Sequence, residues 1–173
     1  MIIKEVLMLQ TNRCILTKPQ QQDYENVKSL YMNAEVRKYL GGPVEEQEFR
    51  TRIAAKLSSN TDSFYWIIRQ ASDKEFIGSV SLGLHHDGIN TEISYQLLPK
   101  WWGNGYATEV LQGIIKYAFE DLGLAKVVAE TQTANIASCR LLEKLGMQLE
   151  TTIERFGAEQ AIFSITNINK STS

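Results

Sequence analysis

The segment Pro99-Lys100-Trp101-Trp102-Gly103-Asn104-Gly105-Tyr106-Ala107-Thr108-Glu109 joins a β-rich run to a run with helical spacing. Its two glycines let the backbone curl and approach a ligand without a Cβ in the way. Unpaired N–H groups at a helix start attract anions, so a strand, a glycine loop and a helix in this order can hold a phosphate. Thr108 can add a hydroxyl. A dinucleotide fingerprint would need a third glycine where Thr108 stands and a βαβ unit near the chain start. A Walker loop would need Gly-Lys-Ser/Thr. Neither pattern is met. An anion loop of another kind and a plain tight turn with a helix start both remain open.

Downstream, Val110, Leu111, Ile114, Ile115, Ala118, Phe119 and Leu122 recur at helical spacing, and Gly123 suits the position after a helix end. Lys126 to Thr131 reads as a strand. Asn135 is a good N-cap for a helix that ends near Leu145. Two strands, about Gln148 to Glu154 and Gln160 to Asn167, flank a turn at Gly157. Upstream, Thr91 to Leu98 closes a meander with Phe64 to Gln70 and Glu75 to Leu84. Before the meander come a strand at Arg13 to Thr17 and two helices, Gln21 to Met32 and Pro43 to about Leu57. Phe49, Ile53 and Leu57 form the second helix's apolar stripe. The order β, αα, βββ, α, β, α, ββ predicts an α/β (α+β) fold with a mixed sheet and helices on its faces.

A chain of 173 residues suits one domain. The formal net charge of −2 argues against nucleic acid as a partner, because phosphate binding usually shows a basic excess. No apolar run approaches the ~20 residues that span a bilayer, so no membrane is expected. The first ten residues lack the pattern of a signal peptide. Cys14 and Cys139 stand far apart, which suits a reducing, cytoplasmic setting. The two histidines, His85 and His86, are adjacent, which gives no zinc-ligand spacing, and no metal is expected.

Thr91-Glu92-Ile93-Ser94-Tyr95-Gln96-Leu97-Leu98 runs straight into the glycine loop, and Asn135-Ile136-Ala137-Ser138-Cys139-Arg140-Leu141-Leu142-Glu143-Lys144-Leu145-Gly146-Met147 follows it. Together they resemble the GCN5-related N-acetyltransferases (GNAT), in the RimJ/RimL-like branch of ribosomal-protein N-terminal acetyltransferases. That branch reads roughly "E-I-G-Y-x-L-x-P-x-x-W-G-x-G-Y-A-T-E-A", then "N-x-x-S-x-x-L-x-E-K-L-G-F". Thr11-Asn12-Arg13-Cys14-Ile15-Leu16, Asn33 to Leu40 and Phe76-Ile77-Gly78-Ser79-Val80 are similar to further stretches of the family, so the likeness runs from Thr11 to Thr166.

The resemblance implies a single GNAT domain over residues 1–173 with a core of about 11–167. It implies a mostly antiparallel sheet of about seven strands, with helices on both faces, splayed at an acetyl-CoA cleft. It implies an enzyme, monomeric or homodimeric, that moves the acetyl group of acetyl-CoA to a primary amine by direct attack in a ternary complex. The amine could belong to a protein N-terminus or to a small molecule such as a polyamine or antibiotic. A coenzyme-A-binding sensor without transfer is the non-enzyme alternative.

In such enzymes the coenzyme pyrophosphate sits on the glycine loop, here Trp102, Gly103, Asn104, Gly105, Tyr106, Ala107 and Thr108. Lys100 stands where the family often has Gln or Arg, and Asn104 replaces a common Lys or Arg. The pantetheine arm pairs with the strand before the loop, at Leu97 and Leu98, like an added strand. Transfer needs a neutral amine, and Glu92 matches the family's strand glutamate, which can take the proton. Its plain alternative is an ion-paired strand residue. Glu109, in the first helical turn, suits the helix dipole better than catalysis. Many relatives place a tyrosine donor where Leu142 stands. Ser138, one turn earlier on the same face, is the candidate to protonate the departing thiolate or to bind the coenzyme. Asn135 caps its helix and, by the resemblance, also contacts the coenzyme. Cys139 invites a ping-pong reading through an acetyl-cysteine, but packing is the simpler role.

Overall fold

The computed structural model describes residues 8–58 and 64–170. The side chain of Leu57, part of the expected stripe, lies outside the described residues, as do the first seven positions. Strands β1 (Met8–Gln10) and β2 (Cys14–Thr17) lead through a 3-10 turn at Gln21–Asp23 into α1 (Tyr24–Met32) and α2 (Glu46–Ser58). The meander is β3 (Phe64–Gln70), β4 (Phe76–Leu84) and β5 (Thr91–Leu97). A second 3-10 turn at Pro99–Trp101 precedes α3 (Tyr106–Glu120), β6 (Lys126–Gln132), α4 (Ile136–Lys144), β7 (Gln148–Arg155) and β8 (Ala158–Thr166).

All eight strands form one sheet in the order β1-β2-β3-β4-β5-β6-β8-β7. The count exceeds the expected seven because Met8–Gln10 adds a short edge strand against β2. Strand alternation sends neighbouring side chains to opposite faces. Ile67 and Phe76 pack with Val27, Leu30, Tyr31, Phe49 and Ile53 from α1 and α2. Trp66, Ile68, Ile77, Val80, Ile93 and Val127 face the other way, onto Val110, Leu111, Ile114, Ala118 and Leu142. Helices therefore cover both faces.

Two irregularities shape the middle of the sheet. Gly78 pairs with Leu97, and a Cβ on Gly78 would stand 2.0 Å from the Gln96 carbonyl oxygen and 2.8 Å from Leu97 Cα. Only glycine allows that approach, and the register against β3 shifts beside it, between Ile68 and Arg69. The second irregularity is the one parallel pair among the described residues. β5 and β6 pair at Thr91 with Val127 and at Glu92 with Val128, and no further. Beyond Glu92 the two strands part, and the sheet opens toward the glycine loop. The late hairpin closes more tightly than its sequence suggests. Phe156 (φ 57°) and Gly157 (φ 73°) are both left-handed, which suits a two-residue turn, so β8 starts at Ala158 rather than Gln160.

Candidate active site

The glycine loop sits at the mouth of this opening. Gly103 (φ 73°) and Gly105 (φ 81°) are both left-handed, and Gly105 is the N-cap of α3. No side chain caps that helix end, so its first N–H groups remain available to an anion. Around Gly103 no atom lies within 4 Å of where a Cβ would sit. The loop suits a pyrophosphate on these counts. Trp101 anchors it from below: its indole N–H donates to the Phe76 carbonyl at 3.0 Å, and Tyr106 packs edge-on against it.

Two residues far away in sequence, Thr11 and Arg13, brace the loop, mainly through Glu109. The Glu109 carboxylate accepts from the Thr11 hydroxyl, the Arg13 amide and Arg13 Nε, each at 2.7 Å. Arg13 also donates to the Asn104 carbonyl at 3.0 Å, and its guanidinium lies over the Tyr106 ring. Burial pushes the Glu109 carboxyl up, but these hydrogen bonds outweigh it and hold it below its usual range. Glu109 is therefore a structural acceptor with little basicity to spare, in line with its reading as a non-catalytic residue. Arg13 was legible only as part of a motif; its contact with the loop spans 91 residues. The Lys100 ammonium pairs with Glu75 and sits above the Trp101 ring.

At the end of β5 the Leu97 carbonyl and the Leu98 amide are engaged. The Leu97 carbonyl accepts from the Trp102 indole at 2.8 Å, and the Leu98 amide donates to Ile77 at 2.9 Å. An arm that pairs with the Leu97 carbonyl has to displace the half-exposed Trp102 indole. Ala107 packs against the core, and Thr108 stands beside it in the first turn of α3.

On α4, Asn135 is the cap its sequence predicts: its side-chain oxygen accepts from the Ser138 amide at 3.2 Å. Ser138 Oγ lies 2.7 Å from the Tyr95 hydroxyl of β5. That contact joins positions 43 apart and is invisible to local patterns. Burial pushes the Tyr95 phenol up from its usual value, partly offset by the Ser138 hydrogen bond. Leu142 is a buried core residue. Cys139 is half-buried, and burial pushes its thiol up, away from the thiolate that a nucleophile requires.

Glu92 is the last β5 residue paired with β6, so it stands at the fork of the opening. Its carboxylate accepts from Ser94 Oγ at 2.9 Å and lies 3.5 Å from His85 Nε2. Burial pushes its pKa up; Ser94 and His85 oppose that, and Glu130 and Asp87 reinforce it. Next to it is a cluster that the sequence hid. Glu130 Oε2 lies 2.9 Å from His85 Nε2, 3.1 Å from His86 Nε2 and 3.6 Å from Arg155 Nη1. The adjacent histidines thus do converge with a third ligand-type group, from β6. Arg155 also brings a positive charge to that carboxylate. His85 itself is buried; burial pulls its pKa down, but Glu130 and Asp87 outweigh that and leave it raised.

Between Glu92 and α2 lies a cavity of about 40 Å³ lined by Lys56, Tyr65, Ser79, Ser81, Ser94 and Gln96 among others. Among the described residues, Gln96 Oε1 is buried there and accepts no hydrogen bond. The acidic residues at the start of α2 are not part of this site. Glu46 pairs with Lys28 and Arg50, and Glu48 pairs with Arg52.

Comparison with known proteins bears on this geometry. The acetyltransferase (GNAT) domain family matches residues 13–148. An uncharacterised N-acetyltransferase, YoaA, of Bacillus subtilis is 31% identical over 166 residues, covering 93% of this chain and 94% of that protein. A crystal structure of spermidine N-acetyltransferase from Vibrio cholerae, in complex with CoA and spermine, superposes with a TM-score of 0.78. It is 20% identical and covers 89% of this chain and 95% of that one. The ribosomal-protein-S5-alanine acetyltransferase of Vibrio fischeri has a TM-score of 0.76 at 16% identity, covering 95% of this chain and 98% of that one. At such identities the two structures speak for the fold alone.

Proposed function

This chain belongs to the GNAT acetyltransferase family, and from that premise we propose that it acetylates a primary amine by direct attack within a ternary complex. It is an acetyl-CoA-dependent acetyltransferase, with acetyl-CoA as the thioester donor. The observation that carries the reading is the fork at Glu92, where β5 and β6 part beside the uncapped, glycine-led end of α3. The backbone N–H groups from Gly103 to Thr108 hold the pyrophosphate, Asn135 contacts the coenzyme, Ser138 meets it at the sulfur, and the edge of β5 near Leu97 aligns the pantetheine arm. Residues 1–173 act as one domain with a core of about 11–167.

Glu92 takes the proton of the attacking amine, directly or through a water. Its raised pKa brings it nearer the range where a base is effective at neutral pH. Ser138 passes a proton to the departing sulfur. The polar cavity beside Glu92, with the unpaired Gln96 oxygen, suits an N–H-bearing acceptor. A protein N-terminal α-amine is the first acceptor class. A small amine such as a polyamine or aminoglycoside is the second, favoured by the acidic groups Glu92, Glu130 and Asp87 around His85. A turnover screen with acetyl-CoA across peptides, polyamines and aminoglycosides tests the reading. Release of coenzyme A with one acceptor class supports it. Coenzyme binding without acetylation of any amine would make the chain a sensor instead.

A further inference from the structure

We propose that Tyr95 is the proton source for the departing thiolate and that it acts through Ser138; this rests on the acetyl-transfer reading above. The chemistry makes the case that Ser138 cannot work alone. A serine hydroxyl is a far weaker acid than a phenol. Ser138 could give its proton to sulfur only by becoming an alkoxide. A tyrosine phenol has a pKa of about 10 and a thiol about 8.5, so the two lie within about two units of each other. Efficient general acids are matched in this way to the group they protonate.

The geometry supplies the match. Tyr95 Oη and Ser138 Oγ are 2.7 Å apart, a well-formed hydroxyl–hydroxyl hydrogen bond. The two arrive from different elements, Tyr95 from the strand that lines the opening and Ser138 from the first turn of α4. Ser138 is held in place by its own amide, which donates to the cap Asn135. The tyrosine that many relatives carry on this helix is replaced by Leu142, which is buried in the core and can donate nothing. Tyr95 brings a phenol from β5 to the same face of that helix, one turn earlier.

The step balances. As the C–S bond breaks, the electron pair goes to sulfur. The Ser138 O–H bond breaks toward that sulfur, and the Tyr95 O–H bond breaks toward Ser138 Oγ. The products are a thiol, an unchanged serine and a tyrosinate. The proton that the amine surrendered to Glu92 leaves separately, and solvent reprotonates Tyr95 before the next turnover. Burial disfavours the tyrosinate, so Tyr95 rests protonated at neutral pH.

The test is a double-mutant cycle in the full chain, with steady-state kinetics on the best acceptor and acetyl-CoA affinity measured separately. Tyr95→Phe keeps the ring and removes one hydroxyl. It should lower kcat about 10²-fold, the low end for a general acid, with acetyl-CoA affinity unchanged. The wild-type kcat should fall at high pH as Tyr95 ionises, and Tyr95→Phe should lose that limb. Because the two hydroxyls act in series, the double variant Tyr95→Phe/Ser138→Ala should be no slower than the slower single variant. A Tyr95→Phe enzyme with wild-type kcat and the same high-pH limb would overturn the proposal. Fully multiplicative losses in the double variant would overturn it too. Loss of turnover in Ser138→Ala alone, with Tyr95→Phe normal, would remove Tyr95 while leaving the acetyl-transfer reading intact.

Discussion

Replacing Glu92 by glutamine separates the base from everything else that the residue does. The amide keeps an oxygen for Ser94 Oγ, which now donates to the carboxylate at 2.9 Å, so packing changes little. What is lost is the ability to take a proton. A general base contributes roughly 10²–10⁴ in rate, which is the expected loss at pH 7. The loss must shrink as the amine deprotonates by itself. An alkylamine with a pKa of about 10.4 is only about 0.04% neutral at pH 7, so the deficit should persist to about pH 10. An α-amine with a pKa near 8 is about one-tenth neutral at pH 7, and most of its deficit should be gone by about pH 9. The pH at which Glu92→Gln approaches wild type therefore also reports the acceptor class. Stability should move the other way. Burial raises the Glu92 pKa above its unfolded value, so the folded chain holds that proton more tightly than the unfolded one. The resulting penalty is absent below the unfolded pKa and complete above the folded one. Glu92→Gln should thus match wild type in melting temperature at acid pH and exceed it at neutral pH. The assay is a kcat/KM profile from pH 6 to about 10.5, with thermal melts across pH 4 to 8. Equal turnover of the two proteins across the whole profile would refute the assignment of Glu92 as base.

Three further outcomes follow from the same geometry. Ser138→Ala should lower kcat about 10²-fold with acetyl-CoA affinity retained, and calorimetric titration separates this from an anchoring role, which would weaken binding instead. Gly105→Ala should weaken acetyl-CoA binding at least about tenfold, or about 1.4 kcal/mol, because its Cβ intrudes at the α3 N-terminus, and a side chain at φ 81° should also cost about 1–2 kcal/mol of stability. The intruding Cβ would meet Arg13 Nη2 at 3.3 Å, a contact that a shift of a few tenths of an ångström relieves, so circular dichroism should still show a folded chain. Gly78→Ala should be far more damaging to the fold, since its Cβ would press on β5 backbone at 2.0 Å. A loss of about 3 kcal/mol, or about 6–12 °C in Tm, is expected by calorimetry.

What the sequence revealed was local. The glycine loop, the Asn135 cap and the three strands of the meander each depend on a few neighbouring residues, and each lies where its pattern put it. The tightness of the late hairpin was missed because Phe156 is not a residue that advertises a positive φ. The engagement of Leu98 with Ile77 depends on which way an amide points, and side-chain pattern does not encode that. The braces of the site were hidden for a different reason. Thr11 and Arg13 reach Glu109, Tyr95 reaches Ser138, and His85 reaches Glu130, across 43 to 98 residues. Such contacts exist only once sheet order is set, and the parallel β5–β6 pair that creates the opening is set by the crossover through α3.

The claim of direct transfer is tested most simply by withholding the amine. The chain is mixed with acetyl-CoA alone, and free coenzyme A and the intact protein mass are followed; acceptor is then added. Direct attack predicts no released coenzyme A and an unmodified protein until the amine arrives, then coenzyme A and acetylated amine in equal amounts. Cys139, with its thiol pKa raised by burial, should remain unacetylated throughout. Coenzyme A released before the amine, with an acetyl group on Cys139 that the amine then removes, would contradict it.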